Sequence, residues 1–135
     1  MMDITMFKKM RCKPGQSACV LYPPEGYPFE GSDLDLDFDS ETDKFDFVHL
    51  FVSSRKDFED RIEEALSKRT TGGLFWISYP KASGKFKPDI NRDSLWDMAI
   101  PHGIHPVAQV ALDELWSAMR VVDNKPGKDY RIPGR

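Results

Sequence analysis

The residues best suited to binding a ligand lie in one loop near the middle of the chain. The segment "YPKASGKFKPDINR" follows an apolar run and carries four cations, Lys81, Lys85, Lys87 and Arg92. Lysine and arginine side chains bind phosphate and carboxylate groups. The loop therefore predicts a site for an anionic small molecule or an acidic peptide. The alternative is a solvated connection whose lysines only keep this edge of the fold soluble.

Two stretches resemble phosphate-binding and calcium-binding motifs but lack residues that those motifs require. The "ASGK" of this loop is not a phosphate-binding loop, because Tyr79 occupies the position of the motif's first glycine. A calcium-binding loop beginning at Asp33 would need glycine where Phe38 stands and glutamate where Lys44 stands. The alternating aspartates over 33–39 instead predict a strand with one face in water.

No set of side chains identifies a catalytic centre. His49 lies inside an apolar run, which favours a hydrogen-bonded core residue over a catalytic base. His102 and His105 flank a glycine that ends a predicted helix, and no Cys or Glu stands at metal-ligand spacing from them. Cys12 and Cys19 are too far apart for a CxxC motif. The sequence therefore favours a protein without catalytic activity, identifies no cofactor and predicts no metal site.

The composition fits one globular domain. The chain has 135 residues, of which 40% are hydrophobic and 12% aromatic, which is enough for a core without disulfides. We predict a single α/β domain over residues 1–122 and a flexible polar tail over 123–135. The net charge of −3 argues against electrostatic attraction to nucleic acid or to an anionic membrane.

No apolar run approaches the roughly 18 residues that a membrane-spanning helix needs. The first residues, "MMDITMFKKMRC", also lack the basic-then-apolar order of a secretory signal. We therefore expect a cytoplasmic protein. Its oligomeric state does not follow from the sequence, since exposed strand edges at 33–39 or 115–122 would allow pairing between chains.

Hydrophobic patterns predict the elements that position the basic loop. Apolar or alternating runs indicate strands at 17–22, 33–39, 45–52 and 74–79. Helices are predicted at 3–11, after Ser54, whose spacing to Asp57 is that of a capping box, and after Asn91 or Asp93. Gly72-Gly73 is expected to break the chain between the second helix and the strand at 74–79.

The strand, helix, strand order over 45–79 predicts a parallel pair of strands. If 17–22, 45–52 and 74–79 all run parallel, their carboxyl ends meet at one edge, where open α/β sheets bind ligands. The free amides at the start of the helix after Ser54 would lie at the same edge. The predicted ligand-binding residues are Glu25, Ser53, Ser54, Tyr79, Lys81, Lys85 and Arg92.

The segment 105–122 is ambiguous. Its apolar residues fit a helical stripe, and Pro106 suits a first helical position. The same segment can split at Asp113-Glu114 into two strands on the edge of the sheet. Periodicity alone favours the helix, but short apolar runs do not decide between the two alternatives.

Several motifs resemble those of a small bacterial family known only as a domain of unknown function. They are "YPK", "NRDSLW" and "PVAQVALDELWSA", in that order, and the resemblance covers roughly residues 7–122. It implies no activity. More distantly, the layout resembles a truncated S-adenosylmethionine (SAM) methyltransferase, whose chain ends in an antiparallel strand pair. This second resemblance implies a three-layer Rossmann-like α/β domain with a mainly parallel sheet and a C-terminal antiparallel β-hairpin, formed by 105–111 and 115–122.

The methyltransferase resemblance also allows a test for the cofactor. Such enzymes hold SAM with a glycine-rich turn after the first strand, because glycine lets backbone amides approach the ligand closely. This chain has "LYPPEGY" there, with two prolines and one glycine. Residues 23–44 are also too few for the strand–helix units that hold the adenosine half.

Two functions follow from the sequence. The favoured one is a noncatalytic binding or regulatory module that holds an anionic small ligand or a protein partner at the carboxyl edge of the sheet. The alternative is a SAM-dependent methyltransferase-like or other nucleotide-binding enzyme.

Overall fold

The computed structural model describes residues 2–29, 34–83 and 85–132, which form a mixed α/β fold. Three α-helices and a short 3-10 helix accompany five strands. The elements are α1 (Thr5–Lys9), β1 (Ala18–Leu21), β2 (Phe45–Phe51), α2 (Arg55–Ser67), β3 (Arg69–Pro80), α3 (Arg92–Ala99), the 3-10 helix (Ile100–His102), β4 (Ile104–Ala111) and β5 (Trp116–Asp123).

The five strands form one sheet in the order β1-β2-β3-β5-β4. β2 and β3 form the parallel pair that the sequence predicted, and β1 is also parallel to β2, which meets the condition set for the first strand. β5 is antiparallel to both β3 and β4, so four of the five strands point the same way. The carboxyl ends of β1, β2, β3 and β4 therefore lie at the same edge of the sheet.

The ambiguous segment 105–122 forms two strands, so the helical alternative is wrong. β4 pairs with β5 from Ile104 opposite Asp123 to Ala111 opposite Ser117. Between them, one carboxylate oxygen of Asp113 accepts hydrogen bonds from the backbone amides of Leu115 and Trp116, each at 2.8 Å. This side chain stabilises a turn at the point where a helix would have to continue.

The strand predicted at 33–39 is wrong for the residues described. Asp37 makes only an isolated parallel bridge with Ser17, and Asp35 has a positive φ of 48°. The position of Asp33 falls outside the described residues. Leu36 is nevertheless buried, because the alternating pattern reports which side chains turn inward without requiring a full ladder of hydrogen bonds.

Gly72-Gly73 does not separate an element from the next strand, because both residues lie inside β3. Phe45 pairs with Arg69 and Phe47 with Leu74, so β3 bulges outward between these two pairs. Gly72 has a φ of +77°, which favours glycine. A Cβ on Gly73 would lie 2.6 Å from Thr70 Oγ1 and 3.0 Å from the Asp46 carbonyl oxygen. Glycine is therefore required at both positions for different reasons.

Two buried clusters contain alternate residues of the central strands. One joins Val48, Leu50 and Ile77 to residues of α2 and α3. The other joins Phe47 and Trp76 to residues of α1 and of the segment before β2. The central strands are largely apolar over 47–51 and 74–79, because both sets of alternate side chains are buried or half-buried there.

The helices begin at the caps that their sequences indicate. The Ser54 hydroxyl accepts a hydrogen bond from the Asp57 amide at 3.1 Å, as in a capping box. The Asp57 carboxylate accepts from the Ser53 N–H at 2.9 Å and not from the Ser54 N–H, so the box is not reciprocal. Asn91, rather than Asp93, caps α3, in a reciprocal box with Ser94. Within the described parts of the chain, no helix has the length and apolar character needed to cross a membrane.

Residues after β5 contact the domain. The Tyr130 ring stacks on His105 with the ring centroids 3.8 Å apart. Trp96 donates its indole N–H to the Tyr130 carbonyl oxygen at 2.7 Å. The flexibility of 123–135 stays a prediction.

Candidate functional site

The carboxyl ends of the parallel strands form a continuous edge, which we call the carboxyl rim. It consists of residues 22–26, 52–54, 80–83, 85–86 and 112–116. Pro80, near the end of β3, pairs with Trp116 at the start of β5, so the turn between β4 and β5 lies beside the basic loop. The rim is therefore where the predicted ligand-binding residues are expected to meet.

An apolar cleft opens in the rim between the ends of β2 and β3 and the β4–β5 turn. This rim cleft has a volume of about 230 Å³. Ser53, Pro80, Lys81, Phe86, Leu115 and Trp116 line it. Phe86 is 53% exposed and Leu115 is 57% exposed, so two large apolar side chains border the cleft in water. Neither Phe86 nor Leu115 is among the ligand-binding residues predicted from the sequence. The signal that could have identified them is an apolar residue inside a polar turn.

A broader depression adjoins the rim cleft on the side of β1. It has a volume of about 600 Å³ and shares Leu115 and Trp116 with the cleft. Glu25, a predicted site residue, lies in this depression together with Pro24 and Gly26. Glu25 and Lys81 are thus on neighbouring parts of the rim, separated by the Leu115–Trp116 wall.

The polar groups predicted for ligand binding at the cleft take part in the fold itself. Lys81 donates from Nζ to the Asp113 carbonyl oxygen at 2.7 Å, which ties the basic loop to the β4–β5 turn. Ser53 donates its backbone N–H to Asp57, and the Ser54 hydroxyl caps α2. The structure thus brings Ser53 and Lys81 into one cleft, with Ser54 next to Ser53, but much of their hydrogen-bonding capacity is already used.

Tyr79 does not face the rim cleft. It is buried in the cluster that contains residues of α2 and α3, and Gln109 Nε2 donates to its hydroxyl at 2.7 Å. Burial raises the pKa of Tyr79 above its ordinary value, which keeps the phenol protonated at neutral pH. Side chains alternate along a strand, so Tyr79 points away from the surface that its neighbours line.

The two remaining cations lie apart from each other. Lys85 is exposed in the turn closed by Ser83 and Phe86, whose backbones exchange two hydrogen bonds. Arg92 lies in a separate groove of about 240 Å³ between α3 and β4, with its guanidinium 5.2 Å from the Trp96 ring. The predicted set is therefore spread over the rim cleft, the adjoining depression, the loop surface and this groove.

The first strand is followed by a tyrosine that has a left-handed backbone. Tyr22 has a φ of 58° and is 49% exposed. Its hydroxyl donates to Glu64 at 2.8 Å, and the Arg61 guanidinium lies 4.0 Å from the ring centroid. A bulky side chain held down by α2 thus occupies the position where a glycine-rich cofactor turn would begin.

The histidines are held in protein contacts. His49 is fully buried, with Nε2 2.6 Å from Ser78 Oγ and Nδ1 3.0 Å from Tyr27 Oη, which confirms the hydrogen-bonded core residue. Burial lowers the pKa of His49 to about 3. His102 contacts Glu59 and Glu63 of α2 instead of the last helical carbonyls. Among the described residues, no three His, Cys, Asp or Glu side chains form a group suited to a metal ion.

Comparisons with known proteins concern the fold. No protein-family model matches the chain, and no curated protein sequence matches it. A solved structure titled "DhpI-SAH complex structure" is similar over 89% of this chain and 82% of its own, with a TM-score of 0.55 and 12% sequence identity. The chain thus shares its α/β fold with that structure.

Proposed function

We propose that this protein is a noncatalytic binding module that holds a partner at its carboxyl rim. The observation that carries the proposal is the apolar rim cleft at the ends of two parallel strands, bordered by exposed Phe86 and Leu115. In this proposal the domain has three layers, with helices on both faces of the sheet, and the β4–β5 hairpin forms part of the rim.

The character of the cleft favours a protein segment over an anionic small molecule. Its walls are largely apolar, and the Lys81 ammonium is already hydrogen-bonded to Asp113. Lys85 and Lys87, on either side of Phe86, are exposed. A segment that inserts an apolar side chain into the cleft and places an acidic residue near these lysines matches both features. The cytoplasmic location expected from the sequence stays part of the proposal.

The experiment is a selection from a peptide library randomised in apolar and acidic residues, followed by titration of the selected peptides. Trp116 lines the cleft, so its fluorescence reports on occupancy. We expect Phe86→Ser and Leu115→Ser each to weaken binding by about tenfold or more. Val107→Ser is the matched control, because Val107 is 45% exposed but lies in the groove beside α3. Failure to select any binder, or equal affinity in all three variants, would refute the proposal.

A SAM-dependent methyltransferase-like enzyme is the second candidate. It is favoured by the fold similarity to a structure whose title names bound SAH, the product that SAM leaves after methyl transfer. Tyr22 and the two prolines after it argue against the usual cofactor turn. A thermal-shift measurement with millimolar SAM, SAH and nucleotides separates the candidates, because only a chain with such a site gains stability from them.

An anionic small ligand at the rim has its own signature. It would raise the melting temperature in a way that disappears when Lys81 and Lys85 are both replaced by alanine. A rise that survives this double replacement excludes the basic loop as its origin.

A further inference from the structure

The two central strands of opposite direction, β3 and β5, separate at the edge of the sheet away from the carboxyl rim. Their pairing ends at Trp76 opposite Arg120, whereas β5 stays paired with β4 as far as Asp123. β3 instead bulges at Gly72 and Gly73. The strands thus enclose a cleft of about 120 Å³, lined among others by Arg69, Gly72, Gly73, Arg120 and Asp123. We call it the arginine cleft.

Arg120 is the unusual residue of this cleft. Its side chain is half-buried, and its Nε atom is buried without any hydrogen-bond acceptor among the residues described. Within residues 2–29, 34–83 and 85–132, no carboxylate forms an ion pair with its guanidinium. Buried arginine donors in folded proteins are almost always hydrogen-bonded, because leaving one unmade is costly. Because the side chain as a whole is only half-buried, the rest of the guanidinium can donate to an acceptor from outside the chain.

The charges that line the cleft leave it positive. Arg69 donates from Nη1 to the Asp123 carboxylate at 2.7 Å, so the single acidic side chain lining the cleft is already paired. The Arg69 side chain is 24% exposed, which leaves this second guanidinium only partly solvated. Two cations and one anion give a positive potential in a partly desolvated place, where charge-assisted hydrogen bonds are strongest.

The cleft has room for a small anion, since its volume of about 120 Å³ accommodates one tetrahedral oxyanion. The glycine pair adds to the fit, since Gly72 and Gly73 bring backbone to the cleft without side chains between. Arginine recognises tetrahedral oxyanions through its planar set of N–H donors.

We propose that the arginine cleft binds a small oxyanion of the phosphate or sulfate class through Arg120 and Arg69. This site lies at the edge of the sheet opposite the carboxyl rim and does not depend on the function proposed there.

The test measures melting temperature in millimolar phosphate, in sulfate and in chloride at matched ionic strength. We expect phosphate or sulfate to raise the melting temperature of the wild-type protein by a few degrees over chloride. Arg120→Met should lose this rise. Arg131→Met is the matched control, because Arg131 is 76% exposed and pairs only with Asp129, and it should keep the rise.

Arg120→Met also gives an internal check on folding. In chloride it should melt at the same temperature as wild type or higher, because an unpaired buried donor has been removed. If it melts lower, phosphorus NMR decides instead: phosphate resonances should broaden with wild type and not with Arg120→Lys, whose point charge lacks the planar set of guanidinium donors. No anion-dependent rise in wild type, or an equal rise in Arg120→Met, would overturn the proposal. The Lys81→Ala, Lys85→Ala double variant should keep the full rise.

Discussion

The cationic side chains at the two ends of β3 differ in whether they have a hydrogen-bond partner in the protein. At the carboxyl rim, the Lys81 ammonium is fixed by the Asp113 carbonyl, and the surface that remains for a partner is apolar. At the arginine cleft, Arg120 has no acceptor among the described residues, and the surface that remains is cationic. The difference teaches that cations clustered in a sequence do not by themselves locate an anion site. The pairing of each cation in the fold decides whether its charge is available.

The largest expected effect lies in β2, at His49, which pairs with Trp76 near the middle of β3, and it tests whether the interior of the sheet differs from the two ends of β3. His49 contacts Ser78 and Tyr27 and packs between Phe47 and Phe51. Its pKa is lowered by burial from 6.5 to about 3, so the unfolded chain binds a proton that the folded protein does not. The folded protein is therefore most stable above pH 6.5. Its free energy of unfolding falls by up to about 5 kcal/mol as the pH falls toward 3.

Urea unfolding at several pH values between 3 and 7 measures this loss. His49→Gln is the control: it should be less stable at neutral pH but should lose the part of the pH dependence that comes from the imidazole. An unchanged pH profile in this variant would show that other groups cause the acid sensitivity.

The arginine end depends on close packing at its bulge, and the rim end does not. Gly73→Ala places a Cβ 2.6 Å from Thr70 Oγ1 and 3.0 Å from a backbone oxygen. We expect a loss of roughly 2–3 kcal/mol in the free energy of unfolding. Gly72→Ala meets no atom within 4 Å and suffers only from its positive φ, which costs about 1 kcal/mol. Equal losses in the two variants, measured by urea unfolding, would contradict the packing described at the bulge.

The rim lysines provide a smaller effect. Lys81→Met removes the hydrogen bond to the Asp113 carbonyl oxygen, and we expect it to lower the free energy of unfolding by about 1 kcal/mol. Lys85→Met should change it by less than about 0.5 kcal/mol because Lys85 is exposed. If the two variants have the same free energy of unfolding, Lys81 is available to a ligand. The contrast drawn between the cations at the two ends of β3 would then be wrong.

The smallest effect on stability is expected at the rim cleft itself. Phe86→Ser replaces a side chain that is more than half exposed, so the free energy of unfolding should change by less than about 0.5 kcal/mol. Chemical denaturation beside the peptide titration separates the two roles. A large loss of stability would make Phe86 part of the core and remove it as a binding residue.

Local patterns predicted much of the fold and less of the site. Apolar runs located β1, β2 and half of β3, and the Ser54 cap located the start of α2. The strand predicted at 33–39 was wrong because alternation reports inward-facing side chains, whereas the described residues 34–39 make only an isolated bridge. Tyr79 was placed in the site by its position in the sequence, although strand alternation turns it into the core. Arg120 did have a signal, a single cation inside the apolar run "WSAMRVV".

The sequence by itself determined where most of the elements lie and that β2 and β3 share a direction, because hydrophobic period, caps and connection length act over a few residues. The tertiary structure alone decided where β3 leaves β5, which cation meets a carbonyl and which meets none. Those outcomes depend on the register between strands that are about 40 residues apart in the chain, such as Trp76 opposite Arg120, and no local pattern encodes the partner across such a distance.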